Sequence, residues 1–189
     1  KNYTKKTIAV KKGFQKRLKD KDAMSLLSYD EFLANSSYDR VQKILSKYEL
    51  FKIVQNIPGD IVECGVHKGS GIYLYSKLLK LFKPHSVSRV IGFDFFGEAQ
   101  KVKNKYELDY VCNKDHRGIG SKKTTILNNL KKFGISNTKL ISGDVCLTTK
   151  KYVKENIGFR ISMLILDVDN YEGTLACLKN LYPNVTKGG

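Results

Sequence analysis

Apolar positions along the chain follow two spacings in turn, which predicts an alternation of helices and strands. Between Tyr38 and Gln55 they recur every three or four residues, which predicts a helix that Pro58-Gly59 ends. Short runs rich in β-branched residues predict four strands, at 60–64, 88–94, 138–142 and 160–167. Helical spacing returns between and after these strands, at 72–82, 122–133, 148–156 and 171–181.

This alternation, with its short connections, predicts parallel strands joined by right-handed crossovers. The continuous apolar run Met163–Leu166 is typical of a strand that is covered on both faces. We therefore predict an α/β fold: a doubly wound, mostly parallel Rossmann-like sheet with helices on both faces.

The two ends of the chain predict its domain organisation. Residues 1–22 carry nine Lys or Arg and little apolar periodicity, so we expect a basic N-terminal arm over 1–30 and one domain over 31–189. The chain stops at Gly188-Gly189, after a helix and a turn that should lead into another strand. We therefore expect the domain to be truncated at its C-terminal end. No apolar run reaches the roughly 18 residues that span a bilayer.

Charge and cysteine content narrow the function classes. The net charge is +16, and Lys supplies 29 of the 34 basic residues. Arg binds phosphates and bases better than Lys does, because its planar guanidinium can donate two parallel hydrogen bonds. The excess of Lys therefore leaves a nucleic-acid partner open but does not favour it over a compositional bias. Cysteines stand at 64, 112, 146 and 177 without zinc-ligand spacing, which indicates small buried hydrophobes and a reducing, cytoplasmic location.

A glycine-rich turn and an acid follow the first two predicted strands. The turn contains Gly65, Gly69 and Gly71, and leads into a helix whose free N–H groups can meet a ligand. Its spacing matches neither the dinucleotide fingerprint nor the P-loop. Asp94 ends the second strand, where a carboxylate can accept hydrogen bonds from both ribose hydroxyls of a nucleoside. The alternative is that Asp94 caps the following loop.

Acids also follow the third and fourth predicted strands. Asp144 can reach the exocyclic amine of an adenine, or cap the helix that follows it. Asp167 and Asp169 follow the apolar fourth strand, where a substrate would meet a cofactor. Paired oxygen ligands suit Mg²⁺, and a carboxylate that is not a ligand could deprotonate a hydroxyl.

Three stretches carry a resemblance to a known family: PGDIVECGVHKGSG, RVIGFDFFGE and LILDVDNYEGTLACLKNLYPNVTKGG. They resemble the macrocin O-methyltransferase family of S-adenosylmethionine-dependent sugar O-methyltransferases. The resemblance covers roughly residues 38 to 189 and leaves residues 1–30 outside. It implies methyl transfer to a hydroxyl of a sugar or sugar-containing small molecule, with S-adenosylmethionine as cofactor and Mg²⁺ as assisting ion.

The resemblance also implies roles for individual residues. Asp167 would bind Mg²⁺, and Asp169 would act as general base on the sugar hydroxyl. The residues expected to contact S-adenosylmethionine are Glu63, Gly65, Gly69, Asp94 and Asp144. Gly69 is included because it belongs to the glycine turn.

Two other functions remain open on the same scaffold. A nucleic-acid methyltransferase is suggested by the charge of +16, and a non-catalytic cofactor-binding protein would keep the fold without the chemistry. A nicotinamide-dependent enzyme is disfavoured by the glycine spacing. A homo-oligomer is also left open.

Overall fold

The computed structural model describes residues 21–97 and 120–189, with side chains from residue 27 onward. Most of the predicted basic arm lies outside the described residues, as do residues 98–119. The chain divides into two compact units between Tyr48 and Glu49.

Two helices begin the described chain. Helix α1 spans Lys21–Asn35, and helix α2 spans Tyr38–Val54. The prediction of α2 is confirmed, because it begins at the predicted residue and ends one residue early. Helix α1 was not predicted, and it crosses the boundary expected at residue 30. Its apolar residues Tyr29, Phe32 and Leu33 are exposed. The helix therefore does not use them as the buried apolar face by which helices are usually recognised.

The second unit alternates strands and helices as the sequence predicted. Its elements are β1 (Asp60–Cys64), α3 (Ser70–Phe82), β2 (Val90–Asp94), α4 (Lys123–Lys131), β3 (Thr138–Ser142), α5 (Val145–Glu155), β4 (Ile161–Leu166) and α6 (Tyr171–Leu181). A short 3₁₀ turn, Tyr182–Asn184, follows α6. Helix α5 begins three residues earlier than predicted, because Asp144 caps it.

The four strands form one parallel sheet in the order β3-β2-β1-β4. Their registers bring the strand ends almost level: Cys64 lies between Phe93 and Leu166, and Asp94 lies beside Ser142. The residues that follow the strands therefore share one edge of the sheet. The predicted α/β fold with a Rossmann-like sheet is confirmed.

Alternate residues of the strands cover the two faces of the sheet. On one face Val62, Cys64, Ile91 and Phe93 pack in a core with residues of α5 and α6. On the other face the backbone of Gly92 lies against Ile72 of α3 and Leu140 of β3. None of the helices in the described ranges is both long and apolar enough to cross a membrane.

A partly buried ion pair holds the amino ends of β1 and β2 together. Asp60 is 7% exposed, and its Oδ2 accepts hydrogen bonds from Nε and Nη2 of Arg89 at 3.1 and 2.7 Å. Its Oδ1 accepts from the backbone N–H of Arg89 at 2.7 Å. The pair is far from the strand ends that carry the candidate site, so we assign it to stability.

Replacing Asp60 with alanine is expected to lower the free energy of unfolding by about 2 kcal/mol, because three hydrogen bonds to a buried charge are lost. Urea unfolding would measure the change. The matched control is Lys151→Ala in the exposed pair Lys151–Glu155, at 3.8 Å, which should change stability by less than about 0.5 kcal/mol. Equal effects of the two substitutions would contradict the assignment.

Candidate active site

The sheet topology creates a crevice at the carboxyl ends of β1 and β4. After β1 the chain crosses to β2 on one side, whereas β4 pairs with β1 on the other side. In open α/β sheets such a reversal of strand order is where ligands bind. The glycine turn after β1 and the acids after β4 both begin at this crevice.

Gly65 and Asp167 are brought into backbone contact there. The N–H of Asp167 donates to the carbonyl of Cys64 at 2.8 Å, and that of Gly65 donates to the carbonyl of Phe93 at 2.9 Å. Gly65 has φ +90°, and a Cβ atom at this position would overlap the carbonyl oxygen of Asp167. Only glycine allows the two chain segments to pass this closely.

Asp94 lies beside the glycine turn and is bound by it. Its Oδ2 accepts a hydrogen bond from the backbone N–H of His67 at 2.7 Å, and its Oδ1 accepts from the N–H of Phe96 at 3.0 Å. Asp94 therefore does cap the following loop, which was the alternative to a ribose contact, through its bond to the N–H of Phe96. Each carboxylate oxygen has more than one acceptor direction, so ribose hydroxyls remain compatible with both bonds.

His67 is a site residue that the sequence reasoning did not select. Its φ of +51° turns the backbone so that its N–H meets Asp94, while its carbonyl accepts from the N–H of Ser121 at 2.9 Å. It therefore links the glycine turn, the end of β2 and the segment that leads into α4. Both bonds use backbone atoms of His67, so the identity of its side chain could not have indicated them.

Glu63 lies beneath the first turn of α3. Its side chain is 4% exposed, and a Cβ atom at Gly71 would overlap its Oε1. A carboxylate at this place is favoured by the positive end of the helix dipole. Burial, followed by the charge of Glu63, raises the pKa of Tyr75 to about 12. Glu63 thus supports the helix that begins at the glycine turn, and its predicted contact with a cofactor stays a prediction.

Gly69 and Asp144 occupy helix ends near the site. Gly69 precedes α3 in a left-handed conformation, with φ +89°, and its N–H donates to the carbonyl of Val66 at 2.9 Å. Asp144 caps α5, because its Oδ1 accepts from the N–H of Cys146 at 2.8 Å. The capping alternative for Asp144 is therefore present, and contact with an adenine stays a prediction.

Asp167 and Asp169 are both exposed after β4. Asp169 has φ +58°, a left-handed conformation that non-glycine residues rarely adopt and that is common at functional sites. The next residue, Asn170, caps α6 by accepting from the N–H of Gly173 at 2.6 Å. The start of α6 therefore holds the segment that presents the two acids.

The metal expected at Asp167 requires more ligands than this segment supplies. Among the described residues, no group of three or more His, Cys, Asp or Glu is arranged to hold a metal ion. Mg²⁺ prefers six oxygen ligands, although several of them are often water. The described residues therefore do not make a magnesium site by themselves.

The described cysteines are free thiols in packed surroundings. Cys64 and Cys177 are buried, and Cys146 is half-buried, whereas Cys112 lies outside the described residues. A hydrogen bond with Cys177, together with burial, raises the pKa of the Cys64 thiol. Burial and the neighbouring Asp144 raise the pKa of Cys146 to about 11. Packed, free thiols agree with the expected role as small hydrophobes.

Together, the parallel β3-β2-β1-β4 sheet, the glycine turn after β1 and the acid ending β2 define a Rossmann-like α/β domain of the kind that binds nucleotide cofactors. Residues 14–189 match the sequence family described as macrocin-O-methyltransferase (TylF), and the chain belongs to this family. The match begins well before residue 38, so residues 14–30, placed outside the resemblance, fall within the family. No curated protein sequence is significantly similar to the chain.

Solved structures of similar fold include two structures of the methyltransferase CalS11 and one of a second methyltransferase. A structure of CalS11, calicheamicin methyltransferase, has a TM-score of 0.70 and 23% identity over 94% of this chain and 73% of its own. An apo structure of CalS11, described as TDP-rhamnose 3'-O-methyltransferase, has a TM-score of 0.62 and 26% identity over 84% of this chain and 66% of its own. The O-methyltransferase NovP has a TM-score of 0.62 and 19% identity over 77% of this chain and 61% of its own.

These similarities confirm the predicted family and the predicted enzyme class, an S-adenosylmethionine-dependent methyltransferase. At the level of the family they also confirm O-methyl transfer. The chain spans between 61% and 73% of the chains in these three structures. The roles of individual residues, the magnesium ion and the cytoplasmic location stay predictions.

Proposed function

We propose that this chain binds S-adenosylmethionine in the crevice between β1 and β4 and transfers its methyl group to a hydroxyl of a sugar-containing small molecule. One observation carries the proposal. The turn at Gly65 contacts the segment of Asp167 on one side, while its next residues bind Asp94 on the other. Residues expected to contact a nucleoside and residues expected to contact an acceptor thus adjoin one turn.

The cofactor side of this crevice is built by backbone groups and one carboxylate. Asp94 accepts from the ribose hydroxyls, and its bond to His67 holds it against the glycine turn. Gly65 and Gly69 let the backbone approach the ligand closely. Glu63 supports α3 from below, so that the N–H groups at its start face the crevice. Asp144 is the residue that would contact the adenine of the cofactor.

The acceptor side is formed by the two acids after β4. Bound S-adenosylmethionine supplies an electrophilic methyl group on a sulfonium. With the cofactor bound, Asp169 would accept the proton of the acceptor hydroxyl while the methyl group passes from sulfur to oxygen and the cofactor leaves as the neutral thioether. The left-handed backbone at Asp169 and the cap at Asn170 fix the backbone that carries this carboxylate. Alignment of hydroxyl oxygen, methyl carbon and sulfur supplies most of the rate gain.

Magnesium enters this proposal only as an ion that Asp167 would bind. The carboxylate is exposed and is a suitable hard oxygen donor, and the remaining ligands would be water or residues outside the described ranges. We therefore assign no step of the transfer to the ion.

The acceptor class follows from the solved relatives. One of them is described as acting on TDP-rhamnose, so we propose a sugar carried on a larger small molecule as acceptor. The packed, free thiols support the cytoplasm as the location.

Calorimetric titration separates this function from its rivals. S-adenosylmethionine should bind with a dissociation constant in the micromolar range, whereas NAD should not bind. Labelled methyl groups should then appear on nucleotide sugars but not on oligonucleotides. Preferential binding of NAD would overturn the cofactor assignment, and transfer to oligonucleotides alone would overturn the acceptor assignment. Cofactor binding with no transfer to any hydroxyl acceptor would favour a non-catalytic binding protein.

A further inference from the structure

The helices α3 and α4 lie in two stretches of the chain that contain no acid. Residues 65–93 and 120–143 hold ten Lys or Arg and neither Asp nor Glu. One of the ten, Arg89, is paired with Asp60. Helices α5 and α6 differ, because Glu155 and Glu172 lie among their lysines. Within the described residues, the lysines of α3 and α4 therefore have no acid on their own helices to compensate their charge.

Six exposed residues in or just after the last turns of α3 and α4 make up what we call the lysine–apolar patch: Lys77, Lys80, Leu81, Lys131, Lys132 and Phe133. On α3 the first three are spaced i, i+3 and i+4, so they share one face of the helix. The opposite face of α3, which includes Tyr75, Leu78 and Leu79, is buried.

Direct contacts join the two helices at this patch. The Nζ of Lys77 lies 5.0 Å from the centroid of the Phe133 ring. One turn earlier, Asn129 donates a hydrogen bond to the hydroxyl of Tyr73 at 3.1 Å. Lys132 reaches the amide oxygen of Asn129 at 3.1 Å, which leaves its charge without a carboxylate partner in the described part of the chain. The patch is thus one surface contributed by two packed helices.

Large apolar side chains stand exposed among these lysines. Leu81 is 71% exposed and Phe133 is 60% exposed. Apolar side chains that are exposed together within a polar surround can serve as an interaction surface. The patch is also remote from the candidate active site. Helix α3 starts at the carboxyl end of β1 and runs back toward the amino end of β2, so its last turn lies at the opposite edge of the sheet.

Among anionic partners, a lipid surface fits this combination best. Lysine clusters attract anionic headgroups as point charges, and Leu and Phe side chains can enter the interface between headgroups and acyl chains. Recognition of nucleic acid favours Arg, and single-stranded binding requires aromatic rings on which successive bases stack. The patch has no Arg and a single aromatic ring.

We propose that the lysine–apolar patch binds the surface of an anionic phospholipid bilayer. In this orientation the carboxyl edge of the sheet, with Gly65, Asp94 and Asp167, faces away from the bilayer and stays open to ligands. The attraction is electrostatic at long range and is reinforced by Leu81 and Phe133 at contact.

Co-sedimentation of the full chain with vesicles tests the proposal. Vesicles of equal parts phosphatidylglycerol and phosphatidylcholine should bind at least tenfold more protein than phosphatidylcholine alone at 0.05 M salt, and binding should fall steeply by 0.5 M salt. Substituting Gln for the lysines at 77, 80, 131 and 132 should reduce the partition coefficient by about hundredfold or more, since each lysine contributes about fivefold to tenfold. The matched control substitutes Gln for the lysines at 150, 151, 154 and 179, on α5 and α6, and should lose at most a few-fold.

A second variant separates a bilayer from other polyanions. Leu81→Ser with Phe133→Ser should weaken vesicle binding about tenfold without altering the melting temperature, because both side chains are exposed. Equal losses in the two lysine variants, which would point to net charge alone, would overturn the proposal. So would vesicle binding that is unchanged in the apolar variant. Binding of a 20-nucleotide single strand that is tighter than vesicle binding and depends on the same four lysines would assign the patch to nucleic acid instead.

Discussion

Replacing Asp169 with asparagine is expected to lower the turnover number for methyl transfer by about 10² to 10⁴, because the acceptor hydroxyl would lose its general base. Asparagine tolerates the left-handed conformation that Asp169 adopts, with φ +58°, so the backbone of the segment should be retained. The measurement is transfer of a labelled methyl group at saturating cofactor and acceptor.

Two further measurements make this result specific to proton transfer. The affinity for S-adenosylmethionine should stay within about twofold of the original, since Asp169 is placed on the acceptor side. The matched control is Glu172→Gln, an exposed acid in the first turn of α6, which should keep its turnover. A turnover that is undiminished in Asp169→Asn, or equally reduced in Glu172→Gln, would remove Asp169 from the mechanism.

Replacing Asp94 with alanine is expected to raise the dissociation constant for S-adenosylmethionine by about hundredfold or more. The change removes two oxygens that would accept hydrogen bonds from ribose hydroxyls, and hydrogen bonds to a charged group contribute roughly 1.5–3 kcal/mol each. Calorimetric titration would measure it, with the melting temperature of the variant as a check on folding.

Because Asp94 also binds the backbone of His67 and Phe96, its removal could loosen the glycine turn as well. A ligand-side control separates the two effects. The original protein should discriminate between S-adenosylmethionine and its 3′-deoxy analogue by about tenfold or more, and Asp94→Ala should lose most of this discrimination. If the variant binds both ligands less tightly but discriminates as before, then Asp94 acts on the turn and does not contact the ribose.

Several strand ends that carry the site were predictable from the sequence. Asp94 and Asp167 could be chosen because acids that follow parallel strands must share one edge of the sheet, whatever the details of packing. The glycine turn was recognisable for a similar reason, since a glycine-rich stretch between a strand and a helix predicts a close backbone approach.

Other contributions to the site could not be found in this way. The bond from the backbone N–H of His67 to the Asp94 carboxylate, and that from the N–H of Ser121 to the carbonyl of His67, join groups far apart in sequence. The position of Glu63 beneath Gly71 depends on which face of β1 the helix α3 covers. Two roles of Asp144, cofactor contact and helix cap, were both compatible with its sequence position, and only the folded geometry showed the cap.

The sequence by itself determined the order of strands and helices, the parallel sheet and the residues at its carboxyl edge, because these follow from local spacing and from the geometry of strand–helix–strand units. The tertiary structure alone decided three contacts: that between Gly65 and Asp167, that between the backbone N–H of His67 and the Asp94 carboxylate, and that between Lys77 and the Phe133 ring. These features depend on the register of neighbouring strands and on how closely helices pack. Both are set by long-range side-chain packing, which no local pattern of residues encodes.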